Sequence, residues 1–418
     1  MFSIKESDKI VVIKLKKIDM LQLLFVVTMG IAFVHQLDGY IIPNYIKYGI
    51  SLIWIVVWLC KMKIKKKDFS VVSPFIIPYI WIGLISIAFW AIYSHYMIGG
   101  EYIINLFYHI IYSILRAVLV LAVLELFKEK TFMLTFEALV FSELIVLMCV
   151  GASYGFSNLL KYCASGVFTS VIDGFKWGTP LWHIGWAMEV HDSTFAFGAF
   201  LLYFLICEEN KRYRIIGSII SCLFVYLGLK RIEILALICV AIIAIIKKKS
   251  SMTFKTISKI TTIIFILFSY VFIIIMKFMP TVFKVLDEHR VALYEFLSRQ
   301  INIENIFIGK GFSIINDYLL NYNKDTTLLT TSHSDLVRMA IELGLLIFTI
   351  WIVYYIYIIP QKLINITGNQ KVGYVAFLCL LYIFVTYFID NTLELFAIQI
   401  VTMMIPIGLY KKEEKYNK

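Results

Sequence analysis

The chain has 418 residues, 61% of them hydrophobic and 16% charged, with a mean hydropathy of +0.84. Soluble domains carry about 25% charged residues, so this composition excludes a soluble enzyme and describes an integral membrane protein. The formal charge of +11 does not point to nucleic acid, because the basic residues fall in short clusters between apolar runs, the pattern that orients a polytopic protein.

In chain order, "MFSIKESDKIVVIKLKK" lacks a signal-peptide apolar region followed by a small-residue cleavage site. The first span is therefore expected to act as its own targeting signal. Apolar runs between charged breaks predict an all-α polytopic membrane protein with about twelve transmembrane helices. They lie near 19–35, 42–60, 72–93, 103–127, 132–153, 186–208, 214–229, 232–247, 258–279, 335–359, 371–389 and 393–410. With the N-terminus inside, the inner segments are 1–18, 61–71, 128–131, 209–213, 248–257, 360–370 and 411–418. Among them are "KMKIKKK", "KEK", "NKR", "KK" and "KKEEKYNK". Alternate breaks are thus basic, which places both termini in the cytoplasm.

The chain reads as one integral membrane domain, 1–418, with two long outer loops, 154–185 and 280–334. Long loops usually carry function or are disordered. In the second, Phe283, Leu286, Leu293 and Leu297 recur at helical spacing, so it is expected to be ordered and amphipathic. The seven cysteines are scattered with no C-x-x-C pair and are read as packing residues.

Two charges fall inside the fourth and fifth spans. Arg116 lies 14 residues before residue 130 and Glu143 lies 13 after it, which predicts an interhelical Arg116–Glu143 pair with a structural role. The sixth span opens with "WHIGWAMEVHDSTFAFGAF", where His183, His191 and Asp192 match no strong ligand motif, so no metal is expected. "GKG" at 309–311 lacks the Lys-Ser/Thr of a P-loop and is read as a turn.

The break between the seventh and eighth spans, "LGLKRIEILAL", holds Lys230 and Arg231. One continuous helix would put both near the bilayer centre, at about 2.5 to 3.5 kcal/mol each. Two short spans would put them at the outer surface, where the positive-inside rule disfavours them. Cations kept at such a cost usually meet an anion. The plainer alternative is a snorkelling Arg231 with Glu233 as its partner.

Arg290 follows in "DEHRVALYEF", beside Asp287 and Glu288. Tyr294, one turn later on the same face, could stack on a sugar or pack. His333 lies in "TTSHSDLVRMAIELGLL", where Ser332 and Asp335 have the S-x-x-D spacing of a helix start. The positive end of a helix dipole favours neutral imidazole, which can accept a proton as a general base must. Ser332 and Asp335 are better explained as caps. Arg338 and Glu342 continue the face as a helix-surface ion-pair ladder.

This order of residues resembles the O-antigen ligase and O-antigen polymerase superfamily of bacterial surface-polysaccharide assembly. The resemblance rests on "LGLKRIEILAL", "EHRVALYEF…NIFIGKGF" and "SHSDLVRMAIELGLL", roughly 215–350. Many members have Ser-Arg where this chain has Lys230-Arg231.

The resemblance implies a GT-C-like fold and a metal-independent, cofactor-free inverting glycosyltransferase on the outer side of the cytoplasmic (inner) membrane. The donor would be an oligosaccharide on undecaprenyl diphosphate. Arg231 and Arg290 would hold the diphosphate and His333 would serve the acceptor hydroxyl, with Lys230, Tyr294 and Arg338 as further substrate-binding candidates. The implied partners are that substrate and membrane lipid; the need for a chain-length-regulating membrane protein stays open. Divergent motifs and a Lys- and Ile-rich composition favour a polymerase over a ligase that transfers polymer to lipid A core. The rival of another class is a lipid-linked oligosaccharide flippase. That rival would concentrate charge in a cavity between two related halves, whereas this chain has unequal halves.

Overall fold

The computed structural model describes residues 2–6, 9–13, 19–37, 40–61, 65–92, 100–165, 178–189, 193–228, 230–285, 288–301, 307–315, 319 and 332–416. Apart from two small antiparallel hairpins, β1 (Phe2–Glu6) with β2 (Lys9–Ile13) and β3 (Gln36–Leu37) with β4 (Tyr40–Ile41), the described secondary structure is helical.

The first helices are α1 (Met20–Phe33), α2 (Asn44–Cys60), α3 (Lys66–Ile92), α4 (Gly100–Phe127) and α5 (Thr131–Tyr154). A 3₁₀ turn, Lys128–Lys130, separates α4 from α5, and Lys128 there takes a φ of 52°. The first long loop contains α6 (Phe156–Ser165) and leads to α7 (Pro180–Glu189). Next come α8 (Ser193–Ile206), α9 (Lys211–Gly228), α10 (Arg231–Lys249) and α11 (Phe254–Phe278). The second long loop holds a 3₁₀ turn, Pro280–Val285, and α12 (Glu288–Gln300). The chain finishes with α13 (Asp335–Val353), a π turn (Tyr354–Ile358), α14 (Ile359–Thr367), α15 (Gln370–Thr386) and α16 (Phe396–Tyr416).

The protein is thus α-helical and built for a membrane. Among the described residues, four stretches are long and apolar enough to cross one: Lys66–Ile92, Tyr102–Tyr154, Phe254–Phe278 and Asp335–Thr367. The second of these is α4 and α5 together. Helices lie at all the places where the apolar runs fall, with two differences of shape. The expected sixth span divides into α7 and α8, with His191 and Asp192 outside the described residues between them. The tenth runs on through the π turn to Thr367, 33 residues in all.

Helices α8 and α15 are apolar on every side and buried on every side, as a central helix should be. α8 packs on α9 and α16, while α15 packs on α10, α14 and α16. At the periphery, α10 and α11 expose isoleucine faces, including Ile234, Ile238 and Ile242 on α10 and Ile260, Ile263 and Ile264 on α11. Such faces suit contact with lipid.

One end of the bundle is fastened by the last turns of α16. Lys411 reaches Asp68 at 2.6 Å, Lys412 reaches Glu208 at 2.8 Å and Lys415 reaches Glu129 at 3.0 Å. Glu413 meets Lys371 at 3.2 Å, and Lys371 also meets Glu209 at 2.6 Å. These partners sit at or beside the basic breaks 61–71, 128–131, 209–213 and 360–370, so these four breaks gather at one end. Backbone N–H bonding and Lys415 hold the Glu129 carboxyl below its ordinary value. Burial works against ionisation of Glu208, but Lys412 and the Asn210 N–H outweigh it and lower that carboxyl too.

The expected Arg116–Glu143 pair does not form. Arg116 donates from Nε (3.0 Å) and Nη2 (2.7 Å) to the Tyr48 hydroxyl, and Glu143 bonds to Ser193 of α8. The reason is the packing: α4 lies on α2 and α3, whereas α5 lies mainly on α1. Equal depth in neighbouring helices did not give facing sides.

Candidate functional site

The Lys-Arg break is a true interruption. α9 ends at Gly228, α10 starts at Arg231, and Lys230 is the residue before the helix with an extended backbone (φ −75°, ψ 103°). A Cβ on Gly228 would come within 2.6 Å of Thr194, so only glycine lets α9 end this close to α8. Lys230 is half-buried, with Nζ 3.7 Å from Asp390 Oδ2 and 5.8 Å from the Phe195 ring centre. Arg231 is exposed and pairs with no acidic group among the described residues.

Glu233 does not partner Arg231. Two positions along a helix point to different faces, and Glu233 turns inward to full burial. Its Oε1 lies 3.0 Å from the Tyr382 hydroxyl, which is also 3.0 Å from the Phe195 carbonyl. Gly198 of α8 makes the room, because a Cβ there would lie 2.0 Å from the Tyr382 hydroxyl and 2.7 Å from Glu233 Oε1. A second buried carboxylate, Glu143, faces the same helix α8 through Ser193.

The start of α13 is sealed by protein rather than by solvent. Ser334 is the cap, accepting from the Val337 N–H at 3.4 Å. Asp335 N donates to the Asp390 carbonyl (3.2 Å) and Leu336 N to the Tyr387 carbonyl (3.0 Å). The Asp335 side chain accepts from Leu393 N at 2.6 Å through Oδ2, and its Oδ1 lies 2.9 Å from Arg338 Nη2. The free N–H groups of a helix start are therefore met by the α15–α16 connection. The expected cap, Ser332, is instead buried two residues earlier. His333 lies between the two serines, partly buried, with a φ of 44° that non-glycine residues rarely adopt.

Arg338 and Glu342 do not form a surface ladder. Both are fully buried, because this face of α13 turns into the protein. Arg338 is paired with Asp335, an arrangement that suits a desolvated structural ion pair. Glu342 Oε1 accepts from Ile315 N at 3.1 Å. Tyr294 on α12 is also fully buried. Arg290 lies on α12 one turn before it, and its side chain is outside the described residues, as is Leu286.

The segment 309–311 is more than a turn. Gly344 bends α13 with φ 73° and ψ 153°. Beside that bend, Lys310 N and Gly311 N donate to the Ile341 and Glu342 carbonyls at 3.1 and 2.9 Å. A Cβ on Gly309 would lie 2.1 Å from the Glu342 carbonyl oxygen. On the other side, Trp90 Nε1 donates to the Lys310 carbonyl (2.8 Å) and Phe312 N to Ser86 Oγ (2.9 Å). The segment 309–312 is thereby docked between α3 and α13.

The structure brings Lys230 and the start of the His333 helix to one residue, Asp390. It does not bring Arg231 into that cluster. Asp390, Tyr382 and the inward role of Glu233 were missed in the sequence. The available signal was "FIDNTLELF", an acidic break between the last two spans, opposite a basic break on the same expected side. His183 is held by ring stacking on Tyr154, 5.2 Å between centroids. Comparison of the chain with family models, with curated proteins and with solved structures gives no match.

Proposed function

We propose that the protein is a polysaccharide polymerase that joins undecaprenyl-diphosphate-linked oligosaccharide repeat units of O-antigen or capsule. The reaction would be a metal-independent, inverting glycosyl transfer at the outer face of the cytoplasmic membrane. The observation that carries this reading is the convergence of the Lys230 break and the helix start after His333 on the single connection between α15 and α16. Twelve crossings with both termini inside are supported by the gathering of the basic breaks at the α16 end, at the opposite ends of α15 and α16 from Asp390.

In this reading the acceptor hydroxyl oxygen attacks the anomeric carbon of the donor sugar. Its proton passes to a neutral His333, and the bond to the diphosphate oxygen breaks with its electron pair on the leaving group. The diphosphate leaves with negative charge, which guanidinium and ammonium groups at Arg231, Arg290 and Lys230 would stabilise. Cations placed where charge develops supply several kcal/mol, about 10²- to 10³-fold for a single donor. The exposure of Arg231 at the head of α10, above a lipid-suited isoleucine face, supports contact with a lipid-borne anion.

The test is turnover of purified protein with lipid-linked repeat units in detergent. The expected result is chain growth in wild type and at least about a hundredfold loss in Arg231→Ala and in His333→Ala. Transfer only to lipid A core would replace the polymerase by a ligase. The buried carboxylates Glu143 and Glu233 are the feature that a flippase would explain better, and a flippase forms no product in detergent.

A further inference from the structure

We propose that Asp390 is a positioning residue that aims the Lys230 ammonium at the site beside the His333 helix. The chemistry of this role rests on the polymerase reading; the tie itself does not.

Each polar atom of Asp390 is committed. Its N–H donates to the Thr386 carbonyl at 3.0 Å and its carbonyl accepts from Asp335 N at 3.2 Å. Oδ1 accepts from the Asn391 N–H at 2.9 Å. That bond fixes the carboxylate plane and leaves Oδ2 facing Lys230 Nζ at 3.7 Å. The structural work is therefore done by the backbone and by Oδ1, and among the described residues the charge on Oδ2 meets Lys230 alone.

The pair is placed to steer a cation without consuming it. Both side chains are 17% exposed, so they are neither sealed in the core nor fully solvated. At 3.7 Å the contact is at the long end for an ion pair, and an ammonium keeps further donors for a phosphate oxygen. The Asp335 N–H that bonds to Asp390 lies two residues after His333. One aspartate thus sets the register between a cation and the proposed base, although α10 and α13 are far apart in sequence.

Asp390→Asn keeps the shape and the Oδ1 acceptor and removes only the charge. The experiment compares wild type, Asp390→Asn, Lys230→Met and the double variant for kcat and KM with lipid-linked repeat units, and for melting temperature. The rate of acylation of Lys230 by an amine-reactive ester is read by mass spectrometry in wild type and Asp390→Asn. The expected result is roughly a tenfold fall in kcat/KM for each single variant, an unchanged melting temperature, and a double variant no worse than Lys230→Met alone. Acylation of Lys230 is expected to quicken severalfold in Asp390→Asn, and Asp390→Glu to recover part of the turnover. Full turnover in Asp390→Asn, or losses that multiply in the double variant, would overturn the proposal. If wild type makes no product, the polymerase reading falls and acylation decides alone: an unchanged rate refutes the tie, a faster one upholds it.

Discussion

Gly198 carries a constraint that its size alone explains. It sits where α8 meets Tyr382 and the buried Glu233 carboxylate, and any added methyl would overlap both. Gly198→Ala is expected to push Tyr382 off Glu233 and to cost about 1–3 kcal/mol by overpacking. Breaking the bond to a buried carboxylate adds to that. The check is the melting temperature of the purified protein, and a variant that melts with wild type would show that the pocket has slack. Arg116 teaches a related lesson. Its partner is a tyrosine hydroxyl rather than the glutamate at matching depth, because depth along a span says nothing about which face turns where.

At the scale of elements, α16 acts as a clasp over four inter-helix junctions. Glu129, Glu208 and Glu209 are all held below the ordinary carboxylate value of 4.5 by bonds to backbone N–H groups or to lysines. Groups with depressed folded values give stability that is present above the unfolded value and lost as pH falls through the folded one. Lys371 joins the same clasp by bridging Glu209 and Glu413. The clasp should therefore hold across neutral pH and weaken below about pH 4.5. Thermal melts against pH should show that acid limb, and Lys412→Ala should lower the neutral plateau by about 1–3 kcal/mol by depriving buried Glu208 of a partner. A flat acid limb in wild type would argue against the clasp.

Across the whole molecule, the apolar runs and basic breaks made the helices legible, because span length and loop charge are local properties of a sequence. The breaks at Gly228–Arg231 and before Asp335 were legible for the same reason. What could not be read was which faces meet. Ser332 looked like a cap, but the helix starts two residues later, where the α15–α16 connection supplies partners from more than fifty residues away. Arg338 and Glu342 looked like a surface ladder because helical spacing gives a face but not its surroundings. Asp390 stood only in an acidic break, and its meeting with Lys230 and with the start of α13 gives it meaning. The proposed sidedness has its own test at this scale. Single cysteines at positions 129 and 412, in a cysteine-free background, should resist a membrane-impermeant thiol reagent in intact cells, and one at position 231 should react. The reverse pattern would invert the topology.

The bend at Gly344 ties two contacts together. In a straight helix the Ile341 and Glu342 carbonyls would face the N–H groups of Leu345 and Leu346, but the bend turns them toward Lys310 and Gly311 instead. Straightening α13 and seating the segment 309–311 therefore compete for the same acceptors. Linkage makes that competition reciprocal. A contact that holds 309–311 in place therefore favours the bent helix, and a substitution that lets α13 straighten is expected to loosen that segment.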